Sequence, residues 1–127
     1  MTMYTPNIEF TPAPTQSISC GMEDGGVTLH IPLNPDYADS TVNQTLKAAL
    51  VAAEYIELFA RKQESYGSGN INSFGELGVL IRASDKIERL KQLVMNKKTN
   101  DLETVADTWT DLLGYGIIGL LVHRGQW

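Results

Sequence analysis

Apolar positions recur at helical spacing through most of this chain beyond residue 40. In residues 73–96, Leu80, Ala83, Ile87, Leu90 and Val94 fall at steps of three and four, the period of one helix face. In residues 102–122, Leu102, Val105, Trp109, Leu112, Leu113 and Gly116 make a second stripe. Only a polar turn at Asn96–Asn100 separates the two, and so short a connection predicts an antiparallel hairpin of helices. A third helix is predicted from about Thr41 to Lys62, where Leu46, Ala49, Leu50, Ala53, Ile56 and Ala60 keep the same period. Three capping-box patterns open these helices: Thr41-x-x-Gln44, Ser73-x-x-Glu76 and Asn100-x-x-Glu103. Ser65–Ser73, rich in glycine, asparagine and serine, is predicted to be a loop.

Residues 1–40 differ. All five prolines lie there (Pro6, Pro12, Pro14, Pro32 and Pro35), and Val27–Leu33 alternates apolar and polar in the manner of a strand. Ile8–Phe10 is the segment placed to pair with it. The expected architecture is mainly α: an antiparallel helical bundle over residues 41–127, with a short N-terminal β-hairpin or extended arm over residues 1–40.

Composition narrows the functional classes. A net charge of −5 and a pI near 4.9 argue against a nucleic-acid backbone as the main partner, which needs a basic surface. Cys20 is the single cysteine, so neither an internal disulfide nor a thiolate zinc site is open to the chain. The first residues lack a basic region followed by an apolar run. The longest apolar stretch, Gly114–Val122, falls short of the ~20 residues that span a bilayer. These features predict a soluble cytoplasmic protein with no membrane partner.

The charged positions suggest chemistry. Glu103, Asp107 and Asp111 repeat at steps of four on one side of the last helix, and the hairpin turn places Asp85 level with Asp111 and Arg89 level with Asp107. Asp85, Asp107 and Asp111 are thus candidate ligands for Mg²⁺ or Mn²⁺, hard cations that take carboxylate and phosphate oxygens together. Arg82, Lys86 and Arg89 share a neighbouring face and are placed to hold phosphate. A metal beside a carboxylate base, Glu103 or Asp107, would activate water against a phosphoanhydride. The plainer alternative is a solvated acidic face with ordinary ion pairs. In the Ser65–Ser73 segment, Tyr66 and Asn70 are candidates for contact with a base or sugar. Gly114, Gly116 and Gly119 cost roughly 1 kcal/mol each inside a helix relative to alanine, which predicts close helix approach, at a subunit interface for example.

The pieces Lys62 with Tyr66-Gly67, Arg82, Asp85-Lys86, Arg89-Leu90, Glu103, Asp107-Thr108, Asp111 and Tyr115 resemble a family. Over about residues 60–122 the chain is similar to nucleotide-modification-associated domain 1 of phages and bacteria, near the all-α NTP pyrophosphohydrolases of the MazG-like type. The resemblance implies a helical homo-oligomer of phage nucleotide metabolism, in the host cytoplasm, that binds a nucleotide through Mg²⁺ and hydrolyses a triphosphate to monophosphate and pyrophosphate. It adds Lys62 to the nucleotide-binding set. The chain departs from the pattern in having Ser65 where the family often has Asp, and Glu103 and Asp107 four apart rather than three. Two further readings stand beside hydrolysis: a non-catalytic nucleotide-binding protein serving phage anti-defence or regulation, and a structural helical oligomer.

Overall fold

The computed structural model describes residues 7–11, 16–21, 26–97 and 104–127. The chain forms two units, Met1–Ala60 and Arg61–Trp127.

In the first unit, β1 (Asn7–Thr11), β2 (Gln16–Gly21) and β3 (Leu29–Leu33) form an antiparallel sheet with β2 in the centre. Ile8 and Phe10 lie opposite Cys20 and Ile18, so this segment pairs with β2 and not directly with β3. Nothing in the sequence predicts β2, because QSISCG is mostly small and polar and carries no β-branched run. Pro32, opposite Ser17, is tolerated because β3 is an edge strand and has a free side for a residue that lacks an N–H.

Helix α1 spans Asp39–Tyr66. It begins two residues before Thr41, with Asp39 in the first turn, where a carboxylate favours the positive end of the helix dipole. Thr41 is therefore inside the helix, and its carbonyl accepts from the Thr45 hydroxyl at 2.7 Å. Val42, Ala53 and Tyr55 are buried, and the rings of Tyr55 and Phe59 lie 6.4 Å apart, within the range of favourable aromatic contact.

Gly67 ends α1. Its φ of +66° lets its N–H return to the Gln63 carbonyl at 2.8 Å, a left-handed cap that glycine adopts without strain. Helix α2 (Gly69–Leu90) starts two residues later. The expected nine-residue loop is thus reduced to Gly67-Ser68, because the polar side chains beyond it serve the helix instead of breaking it. Ser73, for example, donates to the Gly69 carbonyl at 2.8 Å.

Helix α2 is broken at Gly75, whose φ of 63° and ψ of −158° belong to a region that glycine alone occupies readily. Its consequence can be measured. The Arg82 guanidinium donates to the Asn70 side-chain oxygen at 3.1 Å, although twelve residues of unbroken helix would hold the two about 18 Å apart along the axis. The break therefore folds the first turns of α2 back over the remainder. The expected Ser73–Glu76 capping box is not formed: Ser73 turns back to Gly69, and Glu76 reaches His123 at 3.1 Å.

Helix α2 ends in a wider, π-helical turn over Lys91–Met95. Helix α3 spans Val105–His123 and opens with a capping box at Thr104. The Thr104 hydroxyl accepts from the Asp107 N–H at 3.0 Å, and the Asp107 carboxylate accepts from the Thr104 N–H at 3.2 Å. The expected box at Asn100 and Glu103 falls outside the described residues. Glu76 meets His123 and Lys86 meets Asp111, so rising numbers on α2 match falling numbers on α3 and the two helices run antiparallel. Val79, Leu90, Thr108 and Gly114 are buried in this pair. A methyl group on Gly119 would stand 3.7 Å from Val79, so one of the three late glycines lies at the helix contact. Thr108 is fully buried, and its hydroxyl donates to the Thr104 carbonyl at 2.8 Å.

The protein is mainly helical, as the periodicity predicts. Among the described residues one helix, α3, is long and apolar enough to cross a membrane by length and composition. Thr108, Thr110 and two aspartates interrupt its apolar run without ending the helix, so no contiguous apolar stretch marks it in the sequence.

Candidate functional site

Three helices bring a charge to one point. Asp111 on α3 accepts from Lys86 on α2 at 2.9 Å through one carboxylate oxygen and from Lys62 near the end of α1 at 3.4 Å through the other. Lys86 and Asp111 are largely enclosed, with 23% and 27% of their side chains exposed, and Lys62 is more open at 43%. Partial burial pushes the Asp111 carboxyl up. The Lys86 hydrogen bond and charge, followed by those of Lys62, outweigh it and hold the group below its ordinary value. Asp111 is therefore an anion at neutral pH. Two ammonium groups on one carboxylate give the contact a net positive charge.

The remaining basic residues continue from it. Arg82, Lys86 and Arg89 follow one another at steps of four and three along α2, which sets them on one face. Arg82 is held by Asn70 through the Gly75 fold. Tyr66 lies one turn beyond Lys62 on α1 and is 77% exposed. The six residues expected to bind nucleotide are thus linked by helical spacing and by two sets of contacts: Asn70–Arg82, and Lys62–Asp111–Lys86.

The acidic residues are arranged otherwise than expected. Asp107 has turned to the Thr104 N–H and closes its own helix terminus. Asp111 is occupied by lysines, and Asp85 is exposed on α2. The expected pairing of positions 85 and 111 is displaced by one residue: Lys86 meets Asp111, and that single step exchanges a metal-ligating carboxylate for an ammonium. Among the described residues no three His, Cys, Asp or Glu side chains are grouped to hold a metal ion. Glu103, expected as a base or fourth ligand, lies outside the described residues.

Two further residues shape this end of the unit. The Trp127 indole N–H donates to the Ser68 carbonyl at 3.1 Å, and the Gln63 amide donates to the Ser68 hydroxyl at 2.6 Å. Both fix the Gly67-Ser68 turn, beside Tyr66 and Asn70. Neither carried a signal, since Trp127 follows the last apolar stripe and Gln63 is an ordinary helix residue. Comparison with protein-family models, with curated proteins and with solved structures finds no match to this chain.

Proposed function

We propose that the chain is a cytoplasmic nucleotide-binding protein whose phosphate site is the basic row Lys62, Arg82, Lys86 and Arg89, with Tyr66 and Asn70 toward the base or sugar. The observation that carries this reading is the convergence of Lys62 and Lys86, from two helices, on the single carboxylate of Asp111. A carboxylate that holds two long cationic side chains in place removes part of the entropy a phosphate would otherwise have to freeze out. Phosphate oxygens are then met by ammonium and guanidinium donors in charge-assisted hydrogen bonds. The motif pieces that resemble the nucleotide-modification-associated domain name a nucleotide as the class of anion. Binding is assigned to the helical residues 41–127, with residues 1–40 as an extension and the α2–α3 pair as part of an antiparallel bundle.

Binding without turnover is favoured over metal-dependent hydrolysis. Asp107 is engaged by Thr104 and Asp111 by lysines, so a Mg²⁺ site built on them would first have to break a helix cap and two ion pairs. A thermal-shift panel of nucleoside mono-, di- and triphosphates, with and without Mg²⁺ or Mn²⁺, tests the reading. A ligand that binds only the folded chain must raise its melting temperature. A rise with one nucleotide class, independent of divalent cation and without product, is expected. Pyrophosphate release in the presence of the cation would replace this reading with hydrolysis, and no rise with any nucleotide would end it.

A further inference from the structure

Helix α3 ends in a cap that redirects the chain. The Gly125 N–H donates to the Val122 carbonyl at 3.1 Å, and the Gln126 N–H donates to the Leu121 carbonyl at 2.8 Å. With Gly125 at a φ of +67°, these are the two bonds of the glycine motif that closes a helix and turns the backbone away from its axis. The turn delivers Trp127 to the Gly67-Ser68 connection, where its indole N–H donates to the Ser68 carbonyl at 3.1 Å across 59 positions of sequence.

Ser68 is held more firmly than its place requires. It stands at the N-cap of α2, where a serine hydroxyl ordinarily accepts from an N–H of the first helical turn. Here it makes no such bond and accepts from the Gln63 amide at 2.6 Å instead. Its carbonyl takes two donors, the Asn72 N–H at 3.0 Å and the Trp127 indole, which uses both lone pairs of a backbone oxygen. Reversing the chain needs none of this, since the left-handed Gly67 already turns it. The added bonds fix where the Ser68 peptide stands. Tyr66 and Asn70 lie two residues to either side of it, and Asn70 accepts from Arg82 at 3.1 Å. A shift of Ser68 is therefore passed to all three.

We infer that Trp127 is a positioning residue for the base and sugar half of the proposed nucleotide site, acting through Ser68 on Tyr66 and Asn70. The inference rests on the nucleotide-binding reading and deepens it. Trp127, Ser68 and Gln63 are not among the residues that carry the family resemblance, so their assignment comes from the geometry alone. Groups held in place before a ligand arrives cost it less ordering, and a support that sets their position acts on recognition without touching the ligand. The phosphate half has its own support, since Asp111 holds Lys62 and Lys86. Trp127 thus governs the preference for a nucleoside over a bare polyphosphate, and the lysines govern affinity for both.

Isothermal titration of the full chain with ATP, GTP, CTP and UTP, and with inorganic tripolyphosphate as the anion without a nucleoside, tests the inference. The wild type is expected to bind at least one nucleotide more tightly than tripolyphosphate. Trp127→Phe keeps a ring and removes the N–H donor. It is expected to reduce that preference about fivefold, the worth of one hydrogen bond, with tripolyphosphate affinity held within about twofold. Ser68→Ala is expected to reduce the preference in the same way, and Ser68→Thr, which keeps the hydroxyl, to restore it. Should Trp127→Phe lose the helical circular dichroism spectrum, Trp109→Phe decides with the contact intact: Trp127 emission must change on saturation with nucleotide and stay constant with tripolyphosphate. An unchanged preference in Trp127→Phe and Ser68→Ala overturns the inference alone, as does an equal loss of affinity for both ligands, which marks a merely structural contact. So does Trp127 emission that ignores the nucleotide. A wild type that binds tripolyphosphate as well as any nucleotide overturns the base and sugar assignment and this inference together, and one that binds none of these ligands ends the nucleotide reading itself.

Discussion

Lys86 on α2 and Asp111 on α3 meet at 2.9 Å, both about three-quarters enclosed. Ion pairs in open water contribute about 0–1 kcal/mol, and shelter places this one in the upper part of that range. A double-mutant cycle with Lys86→Met and Asp111→Asn should therefore give a coupling of about 0.5–1 kcal/mol in urea unfolding. The equivalent cycle with Lys62→Met, whose ammonium is 3.4 Å away and more exposed, should give only a few tenths of a kcal/mol. Equal couplings would show that the two lysines are not ranked as the distances rank them.

Acid should dissolve the same contact. The Asp111 carboxyl is held below its ordinary value of 3.8 by its lysine partners. A depressed folded-state pKa contributes stability that is fully present above the unfolded value and is lost as pH falls through the folded one. The stability difference between wild type and Asp111→Asn should thus be constant from neutral pH down to about pH 5 and shrink below about pH 4. Urea midpoints measured across that range check it. A difference that grows on acidification would contradict the sign.

Thr104 and Asp107 serve a helix terminus in this account. Thr104→Ala should cost about 1 kcal/mol and lower the melting temperature by several degrees, whereas Thr104→Ser should restore most of the loss. Asp107→Ala should cost about 0.5 kcal/mol through the lost cap and dipole interaction and leave nucleotide affinity within twofold. A tenfold loss of affinity in Asp107→Ala at unchanged stability would return Asp107 to the ligand site.

Two glycines in open space should respond with opposite signs. A methyl group meets nothing within 4 Å at Gly69 or Gly75, but only Gly75 has a positive φ. Gly75→Ala should destabilise by about 1–3 kcal/mol from backbone strain alone. It should also weaken nucleotide binding, because the bend at Gly75 brings Asn70 to Arg82. Gly69→Ala should be stabilising by about 0.4–1 kcal/mol. Calorimetric melting of the two variants decides.

The helices were legible in the sequence because their apolar stripes repeat over many turns, and long periodic patterns outweigh local irregularities. The ends were less so. Composition made Ser65–Ser73 a loop, yet one left-handed glycine at Gly67 suffices for the turn, and Ser73 caps a carbonyl within its own helix. The basic row Arg82, Lys86 and Arg89 was legible as a helix face. The role of Asp111 was not, because it depends on hairpin register to a single residue: with position 85 opposite, Asp111 reads as a metal ligand, and with position 86 opposite it is a lysine partner. Arg82–Asn70 was beyond reach for a similar reason, since nothing in a helical pattern marks Gly75 as the place where α2 folds back.

The most direct measurement is isothermal titration of a nucleoside triphosphate, in EDTA and again in Mg²⁺, into the wild type and into Lys62→Met/Lys86→Met. Saturable binding is expected in EDTA, with a free energy that Mg²⁺ changes little, and a loss of tenfold or more in the double variant at unchanged helix content. Binding that requires Mg²⁺, or an affinity indifferent to the removal of both lysines, would contradict it.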